Sequence, residues 1–271
     1  MKRYIKKALG RGFLVESMRS IRHRWRLNYG VISEFHGIRL RKNNTSDASF
    51  EEQEIMHFSS ALSYADLVID IGANVGIYTI LSAKNGINVD CFEPGKDNLD
   101  FLMNNIMLNA VSDQVKVFPL GCSDRCDLRV FYGDSTAGSF VEDWAGTDRN
   151  YNTIVPTVDL DQFYHRYKNK NLLIKIDVEG SEHEVLIGSK KILSDNTNIT
   201  LFIEITFSEH RLQLNRYFFE TFSYLFELGF SCESISNRQM ITQNELEEFR
   251  SDLIVRDWMF SGNYIFKKLK R

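Results

Sequence analysis

Long apolar stretches and clustered cysteines are both absent from this 271-residue sequence. No run approaches the roughly 18 apolar residues that a membrane-spanning helix needs, and no continuous apolar segment follows the basic N-terminus as a secretion signal would require. The four cysteines, Cys91, Cys122, Cys126 and Cys232, form no CxxC pair and no zinc-ligand spacing. We therefore expect a cytoplasmic protein in a reducing compartment, without a disulfide framework.

Positive charge is scarce beyond the first 30 residues. Residues 1–30 hold nine Lys or Arg side chains and a single acid, Glu16. The chain has 33 basic and 36 acidic residues in total, so the other 241 residues carry 24 basic and 35 acidic side chains, a net charge of −11. Such a surface repels phosphates, and we expect no nucleic-acid partner.

The first 60 residues are predicted to form a basic helical extension before a domain at 61–271. Residues 1–26 carry apolar side chains at roughly one-turn spacing, among them Ile5, Leu9 and Phe13. Two interpretations are open: a basic amphipathic helix at an anionic membrane surface, which would make the protein membrane-peripheral, or a helix packed on the body or on a second subunit. A short hairpin (31–35 and 38–41) and a helix near 50–62 are expected to follow.

From residue 66 onward, apolar strand-like segments alternate with helical ones, which is typical of a doubly wound α/β domain. The predicted strands are 66–71, 87–92, 114–121, 171–177, 198–205, 230–235 and 262–267. The predicted helices are 75–85, 96–109, 159–167, 181–193 and 212–228. Residues 122–157 form a long polar insertion, which serves either as a lid or substrate wall or as a surface embellishment.

A glycine-containing turn follows the first of these strands. The β-branched run Leu67–Ile71 ends in Gly72, Asn74 and Gly76, and the glycines allow a ligand to press against bare backbone. Asp70 places a carboxylate at the carboxyl end of the strand. A phosphate would be repelled by this anion, whereas a ligand with an ammonium group and a sulfonium would be attracted. That description predicts S-adenosyl-L-methionine as the cofactor.

The second strand ends in a carboxylate, Glu93, 17 residues after Gly76. At this distance it is expected to accept hydrogen bonds from the two hydroxyls of an adenosine ribose; the alternative is a surface Glu that caps the next helix. An NAD site would require G-x-G-x-x-G, but Asn74 stands where one glycine should be. An NAD-dependent oxidoreductase is therefore the alternative function.

Two polar residues follow the third predicted strand, Ser123 and Asp124. If the strand end lies beside the adenine, either side chain can accept a hydrogen bond from the exocyclic amine. Ser and Asp are also common turn residues, so a purely local role is the other interpretation.

Charged side chains alternate at the end of the fourth predicted strand, where Lys175, Asp177 and Glu179 share one side. Buried charges are costly unless they are paired or functional. Glu204, at the end of the next strand, is expected to face the same crevice as Asp177. These carboxylates either bind Mg²⁺ or Ca²⁺ or are neutralised by Lys175; we assign no metal ligand.

Several segments together resemble the FkbM family of S-adenosylmethionine-dependent methyltransferases. They are DIGANVG (70–76), FEP (92–94), NNIMLN (104–109) and IKIDVEGSE (174–182). The resemblance covers about 60–205. It implies the class I methyltransferase fold, Rossmann-like, with a seven-stranded sheet whose last strand is antiparallel. It also implies methylation of a hydroxyl on a sugar, polysaccharide or polyketide, so a small-molecule or glycan acceptor.

Transfer to a hydroxyl requires a group that takes its proton. Asp177 is the first candidate for this base, Glu204 the second and His210, in the following loop, the third. The resemblance places Asp177 near the methyl donor. A non-catalytic S-adenosylmethionine-binding module is the remaining alternative, which the presence of Asp70, Glu93 and Asp177 argues against.

Overall fold

The computed structural model describes residues 27, 30, 32–41, 52–133, 138–144, 152–209, 213–251 and 262–268. The strands are β1 (Ile32–Phe35), β2 (Ile38–Arg41), β3 (Leu67–Ile71), β4 (Val89–Phe92), β5 (Val115–Phe118), β6 (Gly121–Cys122), β7 (Asp127–Tyr132), β8 (Asn152–Val158), β9 (Leu172–Ile176), β10 (Ile199–Ile205), β11 (Ser208–Glu209), β12 (Gln213–Leu214), β13 (Phe230–Ser234), β14 (Met240–Ile241) and β15 (Gly262–Lys268). The helices are α1 (Glu52–Leu62), α2 (Ile77–Lys84), α3 (Lys96–Leu108), α4 (Tyr164–Tyr167, after a 3₁₀ turn at Leu160–Phe163), α5 (Glu182–Ile187), α6 (Lys190–Asp195), α7 (Phe218–Glu227) and α8 (Gln243–Ser251).

The central sheet has the strand order β14-β13-β15-β10-β9-β3-β4-β5. Strands β5, β4, β3, β9 and β10 are parallel, and β15 runs antiparallel to both β10 and β13. This order is the class I methyltransferase arrangement, with the last strand antiparallel, and confirms the predicted fold class. Strand order reverses between β3 and β9, and a ligand crevice forms at the carboxyl ends of strands at such a point.

The strands are apolar on both faces because both faces of the sheet are covered. One face packs against β2 and helices α1 to α3, through residues such as Leu40, Phe58 and Leu102. The other packs against α4 to α8, through residues such as Tyr167, Val185 and Phe222. The hairpin and α1, both predicted, are therefore part of one face of the sheet. The predicted basic helix at 1–26 lies outside the described residues.

Three predicted elements differ from the structure. The strand expected at 114–121 ends at Phe118, and β6 belongs to a separate three-stranded sheet with β8 and β7, built largely from the insertion. The helix expected at 181–193 is split into α5 and α6 at Gly188, where a Cβ atom would lie 2.0 Å from the Ser123 carbonyl oxygen. The helix expected at 212–228 begins at Phe218, after β12.

Four elements outside the insertion were not predicted: the short strands β11, β12 and β14 and helix α8. Strand β14 is a two-residue edge strand and brings the described part of the central sheet to eight strands. Across the described ranges, every helix is too short or too polar to cross a membrane.

Candidate functional site

The turn between β3 and α2 begins at Gly72. Its backbone conformation and close packing at this position accommodate only glycine. Gly72 has φ +82°, and a Cβ atom there would lie 1.8 Å from the carbonyl oxygen of Asp177. The Asp177 amide in turn donates to the Ile71 carbonyl at 3.0 Å. The ends of β3 and β9 therefore touch through their main chains, at the point where the strand order reverses.

Gly76 begins the helix that follows this turn. It has φ +93°, and a Cβ atom would lie 2.6 Å from Cδ1 of Leu102 in α3. The glycine thus lets α2 start close to α3. Gly76 at the N-cap has no side chain to cap α2, and the first backbone amide groups of any helix point towards its N-terminal end, here the turn.

Asp70 lies beneath the turn and not on its open side. Its side chain is 1% exposed, and Oδ2 accepts a hydrogen bond from Thr79 Oγ1 in α2 at 2.5 Å. Burial raises the pKa of the Asp70 carboxyl to about 6, against the opposing effects of Thr79 and the Lys175 charge. The sequence predicts that Asp70 contacts the ligand. In the structure its carboxylate is buried under the turn and bonded to Thr79, so it stabilises the turn from below.

Glu93 folds back from the end of β4 onto the same turn. Oε2 accepts from the Asn74 amide at 2.8 Å, and Oε1 accepts from the Gly95 amide at 2.7 Å. Asn98 Nδ2 lies 3.5 Å from Oε1. Burial raises the pKa of Glu93 to about 7, although these hydrogen bonds favour the charged form. The carboxylate is therefore fixed in orientation beside the turn.

Asn74 supplies a second acceptor at the turn. It has φ +51°, in the left-handed region where Asn is tolerated. Its side-chain Oδ1 is buried and has no hydrogen-bond partner within the described part of the chain. A buried acceptor without a donor costs free energy unless a ligand or water supplies one. The turn thus presents an acceptor suited to a ligand's ammonium or hydroxyl donor.

Asp177 and Glu204 come together at the carboxyl ends of β9 and β10. Ile176 and Ile203 are paired in register, which sets the two acids side by side on neighbouring strands. The pKa of Glu204 is raised well above its ordinary value, first by the negative charge of Asp177 and then by burial. The Asp177 side chain is 33% exposed, so one carboxylate of the pair faces open space.

The buried ammonium of Lys175 lies close to Asp177 and offsets the negative charge of Asp177 and Glu204. Its side chain is 2% exposed, and Nζ lies 3.0 Å from Glu54 Oε1 and 3.6 Å from Asp177 Oδ2. Nζ also lies 5.1 Å from the centre of the Tyr78 ring. Burial lowers the pKa of Lys175, but the surrounding carboxylates, Glu54 foremost, raise it further than burial lowers it. The surrounding carboxylates therefore favour the charged form of the ammonium.

The sequence leaves open whether Asp177, Glu179 and Glu204 bind a metal ion or are neutralised by Lys175. Among the residues that the structure describes, no group of three or more His, Cys, Asp or Glu side chains is arranged to hold a metal ion. Glu179 Oε2 accepts a hydrogen bond from Trp144 Nε1 at 3.0 Å, and the Glu179 charge also contributes to the raised pKa of Glu204. The arrangement favours neutralisation by Lys175.

The insertion contacts the loop that follows Asp177. Ser139 Oγ donates to the Glu179 carbonyl at 2.6 Å. The Trp144 ring is fully buried, and a Cβ atom on Gly180 would lie 3.0 Å from it. Glu179 and Gly180 have φ values of +54° and +93°. The insertion therefore contacts the loop where its backbone is left-handed, and Trp144 is buried in that contact.

Ser123 and Asp124 lie at the join between the insertion and α5. Ser123 Oγ accepts from Arg129 Nη1 at 2.7 Å and lies 3.2 Å from Glu184 Oε2, and Arg129 and Glu184 form an ion pair. Asp124 is partly exposed, 3.7 Å from Arg125 Nε. The Ser123 hydroxyl is thus engaged by protein groups, which leaves Asp124 as the more open of the two. His210 lies outside the described residues.

Ser181 and Glu182 lie at the start of α5. Ser181 occupies the N-cap position but makes no capping hydrogen bond. Glu182 supplies the acceptor instead, with Oε1 2.9 Å from the Gly180 amide. Burial raises the pKa of Glu182 to about 7. Its role is structural.

Comparison with known protein families identifies the segment that contains the glycine turn, Glu93 and Asp177. The family model "Methyltransferase FkbM domain" matches residues 70–232, which is more than half of the chain. The chain belongs to the FkbM methyltransferase family. The match begins at Asp70, so the hairpin and α1 lie outside the family-matched segment.

Solved structures with a similar fold include an FkbM methyltransferase from Methylobacillus flagellatus KT (14% identity, TM-score 0.46, covering 74% of this chain and 43% of that one). Others are a putative transferase from Pyrococcus horikoshii (15% identity, TM-score 0.47, 88% and 70%) and an O-methyltransferase from Bacillus cereus in complex with SAH (12% identity, TM-score 0.40, 84% of each). This chain thus spans less than half of the Methylobacillus chain. A search of curated proteins found no match. The family model alone carries the identification.

Two residues near the site of this FkbM methyltransferase were not identified from the sequence. They are Glu54, which contacts Lys175, and Trp144, which donates a hydrogen bond to Glu179. Glu54 lies four residues before Phe58, on the face of α1 that also buries Ile55 and Leu62. An acid on an apolar helix face signals a buried partner. Trp144 offers no comparable signal, because its partner is 35 residues away.

The contact between the insertion and the Asp177 loop yields a stability prediction. Trp144→Phe removes the indole donor to Glu179 and leaves a smaller ring against Gly180, so we expect a loss of about 1–3 kcal/mol. Glu179→Gln keeps an acceptor for the indole and should cost less. Urea unfolding of both variants checks this. A Trp144→Phe variant as stable as the parent would show that the insertion does not brace the loop.

Proposed function

We propose that this FkbM methyltransferase transfers a methyl group from S-adenosyl-L-methionine to a hydroxyl of a sugar, polysaccharide or related natural product. One observation carries the proposal. The Gly72 turn, with the acceptors of Asn74 and Glu93, is in main-chain contact with Asp177, whose carboxylate lies beside Glu204. The proposed donor site therefore adjoins a pair of carboxylates suited to proton transfer.

The residues at the turn fit this donor. The Glu93 carboxylate, held by the amides of Asn74 and Gly95, retains lone pairs that would accept from the ribose hydroxyls. The buried Oδ1 of Asn74, which has no partner in the described ranges, would accept from the ammonium group. Asp70 and Glu93 add negative charge near the binding site of a cation. Asp124 is the candidate for the adenine amine.

When bound, S-adenosylmethionine supplies an activated sulfonium methyl group. The protein has then to orient an acceptor hydroxyl in line with that methyl group and take its proton as the new bond forms. Asp177 is the carboxylate open to the crevice and is our choice for this base. Glu204, which lies beside Asp177 and has a raised pKa, is the second candidate for the base.

The turn also bears on the NAD alternative. A dinucleotide site needs glycine where the pyrophosphate approaches the backbone, but here Asn74 carries a side chain with a buried Oδ1 atom, and Glu93 and Asp70 add two carboxylates. A pyrophosphate would meet negative charge on both sides. NAD is accordingly the control ligand in the test.

The test is calorimetric titration with S-adenosylhomocysteine, the product of the donor. We expect one-to-one binding by the unaltered chain, no binding of NAD, and a loss of affinity of about a hundredfold or more in Glu93→Ala, which removes charge-assisted acceptors for two hydroxyls. Glu182→Gln is the matched control, since it also removes a buried carboxyl that accepts from a glycine amide. It should bind normally. Absence of binding by the unaltered chain would contradict the proposed cofactor.

The pH dependence of this binding has a defined sign. Hydroxyl donors favour the ionised carboxylate, and the pKa of Glu93 is raised to about 7 in the folded protein. The affinity for S-adenosylhomocysteine should therefore rise as the pH increases through 7 and fall below it. In Glu93→Gln this dependence should flatten.

A further inference from the structure

We infer that Glu54, in helix α1, is a positioning residue for Asp177 and acts through the buried ammonium of Lys175. Glu54 precedes the segment that matches the FkbM domain, residues 70–232. The inference rests on the proposed role of Asp177 for its catalytic consequence, but the coupling between Glu54 and Asp177 is a physical property that is measurable without turnover.

The contacts form a chain from the outer helix to the crevice. Glu54 is 3% exposed, and its Oε1 lies 3.0 Å from Lys175 Nζ. The same Nζ lies 3.6 Å from Asp177 Oδ2. Helix α1 is held against the sheet nearby by Phe58, whose ring packs edge-to-face on Tyr78 and Phe202. Glu54 therefore has a fixed position relative to Lys175.

Lys175 is shared between acids on different elements. Glu54 belongs to α1, Asp177 follows β9, Glu204 belongs to β10, and Asp70 in β3 also senses the Lys175 charge. On the side of α2, the ammonium faces the ring of Tyr78. A buried ammonium needs close compensation. The shorter contact, to Glu54, keeps Nζ from closing fully on Asp177.

Loss of Glu54 would therefore change the environment of Asp177 in a defined direction. Without the carboxylate of α1, Lys175 retains Asp177 and Glu204 as its remaining strong partners. Nζ should move towards Asp177 and draw its carboxylate inward, away from the crevice. A purely structural ion pair between Glu54 and Lys175 would destabilise the fold when broken but would leave Asp177 unaffected.

The first experiment is a set of unfolding measurements on Glu54→Gln, Asp177→Asn and the double variant, repeated in a Lys175→Met background. If Lys175 is shared, the double variant loses more stability than the two single losses combined, because a buried cation is left without its two nearest acids. In the Lys175→Met background this excess should vanish. Additive losses in the presence of Lys175 would overturn the inference.

The second experiment measures methyl transfer and binding of S-adenosylhomocysteine. Glu54→Gln should lower kcat by roughly ten- to hundredfold through displacement of Asp177, with the affinity for S-adenosylhomocysteine unchanged. Glu54→Asp should restore part of kcat. The matched control is Glu52→Gln, which alters an exposed acid at the start of α1. This variant should leave kcat unchanged. Normal kcat in folded Glu54→Gln would overturn the positioning role.

The two experiments separate the inference from the proposed function. The variant Glu54→Gln/Lys175→Met removes the pair jointly, so it should fold even if Glu54→Gln does not. Failure of the unaltered chain to bind S-adenosylhomocysteine would count against the proposed function only, because the unfolding measurements still decide whether Glu54 and Asp177 are coupled. Coupling that persists without Lys175 would overturn the route through the ammonium.

Discussion

Gly72→Ala is expected to destabilise the protein by roughly 3–5 kcal/mol and to abolish binding of S-adenosylhomocysteine. The added methyl group would sit 1.8 Å from the Asp177 carbonyl oxygen, and the residue has φ +82°. The obstacle is backbone, which cannot rotate away as a side chain could. Relief requires separation of the β3 and β9 ends, where the proposed donor site and the proposed base, Asp177, meet. Urea unfolding and calorimetric titration measure the two effects.

Gly86→Ala separates the clash from the backbone strain. Gly86 has φ +81°, nearly the same as Gly72, but a Cβ atom there would have no atom within 4 Å. This variant carries the left-handed strain alone, about 1–2 kcal/mol, and should bind S-adenosylhomocysteine normally. Equal losses in the two variants would mean that the contact with Asp177 is not what makes Gly72 necessary.

The parts of the site that were predictable from the sequence are those that are local in the chain. Gly72, Gly76 and Glu93 follow strands with a clear apolar pattern, so their location at the carboxyl edge followed from the alternation of strands and helices. The side-by-side arrangement of Asp177 and Glu204 followed from the same alternation, since Glu204 was expected at the end of the next strand, facing the same crevice; the register of β9 and β10 agrees with it.

The features that were not predictable depend on contacts between distant segments. Asp70 is buried beneath the turn because Thr79 and Lys175 surround it, and nothing in its own segment distinguishes that orientation from an open one. Glu54 pairs with a residue 121 positions later. The strand expected at 114–121 ends early because β6 pairs with β8 from the far end of the insertion. Such pairings are tertiary choices that a local pattern does not encode.

Asp177→Asn is expected to lower kcat by about 10²- to 10⁴-fold, the range associated with loss of a general base. The amide keeps the size of the side chain and the main-chain contact with Gly72, so the affinity for S-adenosylhomocysteine should stay unchanged. Methyl transfer is measured with labelled donor and a hydroxyl acceptor that the unaltered chain methylates. Unaltered kcat would show that Asp177 is not the base.

Glu204 determines how large the loss in Asp177→Asn should be. The pKa of Glu204 is raised first of all by the charge of Asp177, so an amide at position 177 should lower that pKa and shift Glu204 towards its ionised form. An ionised Glu204 beside the crevice would then take over part of the proton transfer. The double variant Asp177→Asn/Glu204→Gln should therefore be slower than Asp177→Asn, whereas Glu204→Gln alone should retain most of its kcat. The opposite order, with Glu204→Gln the more damaging single change, would make Glu204 the base and Asp177 the group that tunes it.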